Sequence, residues 1–170
     1  MDIIVVNDTN IFIDLISVGL LDDFFRLPVG IHTTDFVLNE LTDESQSAAV
    51  RKHIRLKDLT IKRYTGIEVA EIVSFQATCH NNVSIADCSV WLYAKNNGYM
   101  LLTGDAKLRS SAQKSGVTVC GILRVFDMLV EEFGIISPNI GAERLELLYK
   151  INNRLPSREI ESRIRKWRLL

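Results

Sequence analysis

Apolar residues along this chain form two patterns, short continuous runs and longer stretches with helical spacing. The first run, Ile3-Ile4-Val5-Val6, consists of β-branched residues, which is typical of a strand buried on both faces of a parallel sheet. Similar runs predict strands at residues 29–32, 59–61, 99–103 and 117–120. Helical spacing predicts helices between them, at residues 10–16, 20–26, 33–42, 45–53, 67–78, 84–97, 106–114 and 123–133. This alternation predicts an α/β fold, a three-layer α/β/α arrangement with a central, mostly parallel sheet.

Residues that favour helix ends mark several of these helices. Ser84 is expected to begin the most regular one, and Gly98 to end it, because glycine closes a helix in the left-handed conformation without a steric penalty. Ser45 is expected to cap the helix that ends near residue 53.

Two more amphipathic helices are predicted after Pro138, at residues 142–152 and 157–167. Their apolar residues recur at helical spacing: Leu145, Leu148 and Tyr149 in the first, and Ile160, Ile164 and Trp167 in the second. We therefore expect an α/β domain at residues 1–137 and a helical extension at residues 138–170 that packs on the same domain.

The composition is that of a globular protein, with 170 residues, 47% hydrophobic and 24% charged. No stretch approaches the roughly 20 apolar residues that span a bilayer, so no membrane association is expected. The three cysteines lack a CxxC pair, and the three histidines lack the spacing of a zinc site. The sequence therefore predicts a cytoplasmic protein with reduced cysteines and no zinc.

Basic residues are concentrated at the C-terminal end. The whole chain has a net charge of −1, whereas residues 138–170 carry 8 Lys and Arg against 4 Asp and Glu. Two interpretations stay open: the basic side chains contact RNA phosphates or an acidic inhibitor, or they form a solvated helix face. The side chains concerned are Arg154, Arg158, Arg163, Arg165, Lys166 and Arg168.

Four acidic residues occupy the positions where an α/β protein binds its ligands. Asp8 and Asp105 follow the predicted strands that begin at residues 3 and 99, and ligands bind beyond the carboxyl ends of such strands. Asp87 lies in the first turn of the helix that begins at Ser84, and Glu40 lies late in the helix after the second strand.

Each aspartate also has a purely structural interpretation. Asp8 and Asp105 are suited to capping the helices that follow them, and Ser84 with Asp87 fits the capping-box pattern. Taken together, however, carboxylates that converge on one sheet edge repel one another and require a cation. Mg²⁺ or Mn²⁺ suits such an all-oxygen site and supports hydrolysis of a phosphodiester.

Several segments of the chain resemble those of a known family. They are Val6-Asn7-Asp8-Thr9-Asn10, Phe36-Val37-Leu38-Asn39-Glu40-Leu41, Ser84-Ile85-Ala86-Asp87, Leu101-Leu102-Thr103-Gly104-Asp105 and the later pattern Ala112…Gly116-Val117…Val119…Gly121. In this order, across about residues 1–135, they resemble PIN-domain ribonucleases, similar to the toxin nucleases of prokaryotic toxin–antitoxin pairs.

The resemblance implies a Mg²⁺- or Mn²⁺-dependent endoribonuclease. It assigns the catalytic acidic site to Asp8, Glu40, Asp87 and Asp105. Asp8, Asp87 and Asp105 are the implied metal ligands, with Asn10 and Thr103 as supporting residues.

Other features of the resemblance concern partners. RNA is the implied substrate, an antitoxin protein and a second copy of the chain are candidate partners, and Lys107 and Arg109 are candidates for substrate binding. Where many relatives have a further acid one helical turn after Asp87, this chain has Trp91. This departure leaves open whether one or two metal ions bind.

Alternative functions make different demands on the sequence. A PIN-like module that binds RNA or protein without catalysis, and an RNA-processing nuclease that is not a toxin, both remain open. A haloacid-dehalogenase phosphatase needs Asp-x-Asp after the first strand, but the chain has Asp8-Thr9-Asn10. A response-regulator receiver needs paired acids there, and a Rossmann or P-loop protein needs a glycine-rich loop; the chain has neither.

Overall fold

A computed structural model describes residues 3–79 and 82–170. Its centre is a five-stranded sheet in the order β3-β2-β1-β4-β5, and every pair of neighbouring strands is parallel. The strands are β1 (Ile4–Asn7), β2 (Gly30–Thr34), β3 (Leu59–Lys62), β4 (Met100–Leu102) and β5 (Val119–Cys120). The sheet and the helices that flank it confirm the predicted three-layer α/β/α class.

The helices also follow the predicted order. They are α1 (Thr9–Ser17), α2 (Leu21–Phe24), α3 (Asp35–Glu40), α4 (Glu44–Arg55), α5 (Gly66–Ala77), α6 (Ile85–Asn97), α7 (Ala106–Lys114), α8 (Ile122–Asp127), α9 (Pro138–Ile151) and α10 (Ser157–Arg168). A π-helical segment, Met128–Glu132, continues directly from α8. The chain forms two compact units, and we describe each by itself.

The first unit comprises residues 1–12 and 29–121 and contains the whole sheet. Helix α6 packs on β1, β2 and β4, while α7 packs on β5 and α4 on β3. Strand β1 is central, so Val5 and Val6 are fully buried, as their β-branched run predicts. Since Val6 pairs with both His32 and Leu101, the carboxyl ends of β2, β1 and β4 meet at one edge of the sheet.

Side-chain caps define several helix starts in this unit. Ser84 and Asp87 form a reciprocal capping box at α6, and Gly98 ends this helix with a φ of 68°, as predicted. The expectation that Ser45 caps α4 is wrong. Asp43 is the cap, because its carboxylate accepts the Gln46 N–H, and the Ser45 hydroxyl donates to the same carboxylate.

The second unit comprises residues 13–28 and 122–170. Both predicted C-terminal helices are present, although α9 begins at Pro138 rather than near residue 142, because Ser137 caps it and proline fits the first turn. Trp167 of α10 is fully buried, stacks on Phe126, and donates its indole N–H to Glu131 at 2.8 Å. A domain boundary between residues 137 and 138 stays a prediction.

The cysteines Cys79, Cys88 and Cys120 are free. In the described ranges, no helix combines the length and the apolar character needed to cross a membrane.

Candidate active site

Asp8, Thr103 and Asp105 lie at the edge of the sheet where β1 and β4 end. The two strands are direct neighbours, and Asn7 pairs with Leu102 at their last residues. The backbone N–H of Asp8 then donates to the Leu102 carbonyl at 3.0 Å, which extends the pairing by one residue. The predicted convergence of Asp8 and Asp105 at one edge therefore follows from the strand order.

The carboxylate of Asp8 is buried and accepts several hydrogen bonds. The side chain is only 2% exposed. Its Oδ1 accepts the Thr9 backbone N–H at 2.7 Å, and its Oδ2 accepts the Thr103 hydroxyl at 2.8 Å. The Asn10 amide lies 3.4 Å from the same Oδ2. Asn10 and Thr103 thus both contact Asp8, and their supporting role stays a prediction.

Burial and neighbouring charges disfavour the ionised form of Asp8. The pKa of this carboxyl is raised from its ordinary value of 3.8 to about 6, chiefly by burial and to a smaller extent by the charges of Asp87 and Glu40, while the hydrogen bonds from Thr103 and Thr9 act to lower it. Burial also raises the pKa of Asp87, and the charge of Asp105 adds to this effect. The four predicted acids are therefore linked by electrostatic interactions between neighbours, with Asp87 and Glu40 acting on Asp8 and Asp105 acting on Asp87. We call these four residues the acidic site.

Glu40 reaches the acidic site through a residue that sequence reasoning missed. Glu40 is the last residue of α3, and its Oε2 accepts the Thr9 hydroxyl at 2.6 Å. Thr9 is buried and directly follows Asp8, so it joins two of the acids. Its position after Asp8 was the only signal in the sequence, and that signal does not reveal which side chain the hydroxyl meets.

Asp87 and Asp105 also serve as helix caps. Asp87 Oδ2 accepts the Ser84 N–H at 2.7 Å, and Asp105 Oδ1 accepts the Leu108 N–H at 2.7 Å. The prediction that these two aspartates cap helices is therefore confirmed. Each cap uses a single oxygen of the carboxylate, so capping leaves the other oxygen available.

The remaining carboxylate oxygens define how well the acidic site suits a metal ion. Oε1 of Glu40, Oδ1 of Asp87 and Oδ2 of Asp105 accept no hydrogen bond from any described residue. Free carboxylate oxygens in a group of mutually repelling acids suit Mg²⁺ or Mn²⁺ chemically. Within residues 3–79 and 82–170, however, no three His, Cys, Asp or Glu side chains stand close enough together to hold an ion as a group. The donor chemistry fits a divalent ion, whereas a shared ion requires the side chains to turn towards one another.

The other candidate residues lie around this site in different settings. Lys107 is exposed on the first turn of α7. Arg109 of the same helix is partly buried and donates to the Thr103 carbonyl at 3.0 Å. Trp91 packs edge-on against Phe75 and donates its indole N–H to the Ser115 hydroxyl at 2.8 Å. Trp91 is therefore a core residue that provides no metal ligand.

Comparison with known proteins identifies the family. The family model DUF3368, described as a PIN domain, matches residues 4–168, which is nearly the whole chain. This chain belongs to the PIN-domain family. The match confirms the resemblance to PIN domains noted in the sequence. PIN domains are nuclease-like proteins that generally depend on divalent metal ions.

Two solved structures resemble this PIN-domain protein. PAE2754 from Pyrobaculum aerophilum has a TM-score of 0.52 at 14% identity, and the match covers 75% of this chain and 98% of that protein. The PilT N-terminus domain protein SSO1118 from Sulfolobus solfataricus P2 has a TM-score of 0.48 at 11% identity, covering 76% and 95%. At 14% identity, the similarity to PAE2754 supports the fold of this chain and nothing about its function. No curated protein matches this chain.

Proposed function

We propose that this PIN-domain protein is a metal-dependent endoribonuclease whose catalytic residues are Asp8, Glu40, Asp87 and Asp105. The observation that carries the proposal is the buried Asp8 carboxylate, whose pKa is raised to about 6 among neighbouring acids. The described residues form no ion pair with any of these four acids. A cluster of acids that is costly to ionise and lacks a protein cation is suited to a bound metal ion.

Each residue of the acidic site has a defined part in this proposal. Asp8, Asp87 and Asp105 would hold Mg²⁺ or Mn²⁺, which supplies positive charge that activates a water and stabilises the charge developing on a phosphate. Thr103 and Asn10 fix the direction of the Asp8 carboxylate.

Two further residues act on Glu40 and on the RNA. Thr9 holds one oxygen of Glu40 and leaves the other free to accept a proton from water. Lys107 is exposed on α7, two residues after Asp105, where its ammonium group is available to an RNA phosphate.

An RNA-cleavage assay with purified protein tests the proposal. We expect cleavage of single-stranded RNA with Mg²⁺ or Mn²⁺, and loss of cleavage on chelation. Asp8→Asn and Asp105→Asn should abolish cleavage, and asparagine at 105 still caps α7. Glu71→Ala, which removes an exposed acid from α5, is the matched control and should cleave normally. Normal cleavage by both asparagine variants excludes the acidic site as the catalytic centre.

A second candidate function is an RNA-binding module without catalysis. The lack of a ready metal-holding group among the described residues favours it. The same preparation separates the two functions: saturable RNA binding with no cleavage under any divalent ion identifies the binding module.

We further propose that the nuclease is the toxin of a toxin–antitoxin pair and that its antitoxin is a protein partner. Induced expression of the chain should arrest growth of the host, whereas Asp105→Asn should not. Growth that is unaffected, together with RNA cleavage in vitro, indicates an RNA-processing nuclease instead. A second copy of the chain is the other candidate partner, and light scattering of the purified chain tests whether it forms a homodimer.

A further inference from the structure

Arg109 occupies a sheltered position behind the acidic site. It lies on the first turns of α7, and its side chain is partly buried. Its guanidinium Nη2 donates to the Thr103 carbonyl at 3.0 Å. The group therefore contacts the backbone that follows β4, and it is not extended into solvent like the side chain of Lys107.

Thr103 is the residue through which this contact reaches the acids. It is fully buried, and its backbone N–H donates to the Cys120 carbonyl at 3.0 Å. Its hydroxyl donates to Asp8 at 2.8 Å and accepts the Asp105 backbone N–H at 3.0 Å. The carbonyl that Arg109 holds and the hydroxyl that contacts Asp8 and the Asp105 N–H therefore belong to the same buried residue.

Gly121 provides the space that the guanidinium fills. A Cβ at this position would lie 2.5 Å from Arg109 Nη2 and 3.6 Å from the Thr103 carbonyl oxygen. The backbone of Gly121 does not have a positive φ, so alanine is compatible with its conformation. The glycine is therefore explained by the close approach of Arg109 and not by backbone strain.

We propose that Arg109 is a positioning residue, which holds the Thr103 carbonyl and so fixes Asp8 and Asp105 for metal binding, with Gly121 as the space it requires. The proposal rests on the proposed metal-dependent function. Arginine suits this part because its planar guanidinium is permanently charged and presents donors in fixed directions. Groups that orient metal ligands in this way typically change metal affinity about 10–100-fold when they are removed.

Calorimetric titration of the full-length protein with Mn²⁺ tests the proposal without reference to cleavage. Arg109→Met keeps the apolar stem and removes the donor, so we expect Mn²⁺ affinity to fall about 10–100-fold. Gly121→Ala leaves Arg109 in the chain but displaces its guanidinium, and we expect a decrease of similar size. Because both variants break the same hydrogen bond, the double variant should bind Mn²⁺ no more weakly than Arg109→Met alone.

Two controls match these substitutions. Lys114→Gln removes an exposed positive charge from the last turn of α7, and Gly66→Ala adds a methyl group where no atom lies within 4 Å. Both should bind Mn²⁺ like the wild type. All titrations are made well below the melting temperature of each variant, so that lower stability alone does not change the measured affinity.

The outcomes distinguish this proposal from the one on which it rests. Wild-type protein that binds no Mn²⁺ contradicts the metal-dependent function itself. Wild-type affinity in folded Arg109→Met overturns the positioning role while the metal site stands. Additive decreases in the double variant also overturn it, because they show that Arg109 and Gly121 act through separate interactions.

Discussion

The Asp8 carboxyl makes the stability of the metal-free protein depend on pH. Its pKa of about 6 in the folded state lies above its ordinary value of 3.8, so the folded protein binds more protons than the unfolded chain between these values. The free energy of unfolding therefore falls as the pH rises through this window. It stays lower above the window, because the folded protein then carries an unfavourable anion.

Asp8→Asn should remove this penalty. In the presence of a chelator at pH 8, we expect the variant to be more stable than the wild type by about 1–3 kcal/mol, the upper figure corresponding to the full pKa shift. The difference should shrink towards zero at pH 4, where Asp8 of the wild type is protonated. Urea unfolding at both pH values measures it, and a difference that does not change with pH contradicts the assignment.

Loss of the Thr103 hydroxyl, which donates to the Asp8 carboxylate, should lower the stability of the protein. Thr103→Val keeps the shape of the side chain but leaves the buried Asp8 Oδ2 and the Asp105 N–H without this partner. We expect stability to fall by about 1–3 kcal/mol in urea unfolding, since a buried polar group without its partner retains the cost of desolvation. Thr118→Val, an exposed substitution next to β5, is the control and should change stability little. Equal stability of both variants would show that the hydroxyl is not used.

The positions of site residues that directly follow a strand could be predicted from the sequence. Asp8 and Asp105 could be placed together because each directly follows a strand of one parallel sheet. The contact between Thr9 and Glu40 could not be predicted, because it depends on which side-chain rotamers meet across the β1 and β2 ends. The contact of Arg109 with the Thr103 carbonyl could not be predicted either, because the guanidinium reaches it only where Gly121 leaves space.

At the scale of elements, Gly141 shows how close α9 lies to the π-helical segment. A Cβ at this position would lie 2.5 Å from Val130 Cγ2 and 3.4 Å from the Trp167 ring. Val130 is buried and β-branched, so its methyl group has little freedom to move aside. The glycine therefore permits the packing of α9, α10 and the π-helical segment within the second unit.

Gly141→Ala tests this packing against helix propensity. In an open helix, alanine would stabilise by about 1 kcal/mol over glycine. Here we expect a net destabilisation of about 1 kcal/mol or more, because overpacking typically costs about 1–3 kcal/mol. Thermal and urea unfolding measure the difference, and a stabilised variant would show that the second unit has room at this position.

Element boundaries were predictable to within a few residues where capping residues are unambiguous, as at Ser84 and Gly98. At α4 two cap-forming residues lie two positions apart, and local sequence does not decide between Asp43 and Ser45. The π-helical turn after α8 was predicted as ordinary helix. The wider turn follows from backbone hydrogen bonds five residues apart, such as Phe133 N–H to the Met128 carbonyl, and these leave no periodic signal in so short a segment.

At the scale of the whole molecule, the charge of the C-terminal helices is partly neutralised within the second unit. Arg163 forms a bidentate pair with Asp127, with bonds of 2.6 and 2.7 Å. Lys166 pairs with Glu131 and Arg168 with Glu146. The exposed side chains of Arg154, Arg158 and Arg165 form no ion pair with any described residue.

We expect these three exposed arginines to contribute to any interaction of the C-terminal helices with RNA. If they do, the combined substitution of Arg154, Arg158 and Arg165 by glutamine reduces the slope of log affinity against log salt by about 0.7 for each phosphate that is no longer neutralised. The measurement is binding of single-stranded RNA by the Asp105→Asn protein across a salt series. Substitution of three exposed lysines, Lys57, Lys95 and Lys114, is the charge-matched control. Equal slopes in the two triple variants would indicate a solvated helix face.

The grouping of distant segments was beyond sequence analysis. The amphipathic pattern after Pro138 predicted two helices that bury one face, and both are present. It did not reveal that residues 13–28 belong to the same compact unit. Amphipathic spacing identifies which face of a helix is buried, but it carries no information about the segment that covers it.

Because β4 pairs with β1, the acidic site can form only late in the synthesis of the sheet. The Thr103 hydroxyl and the Asp8 carboxylate that it contacts are 95 residues apart in the chain. Strand β1 leaves the ribosome long before β4, so Asp8 is made before its strand partner, its hydrogen-bond donor and the three further acids. A chain that ends after Asp87 but before Met100 contains Asp8, Glu40 and Asp87 and lacks β4, the strand that leads to Asp105 beside Asp8. Translation products that end before β4 are therefore unable to assemble the complete site, so under the proposed function such incomplete copies cannot cleave RNA.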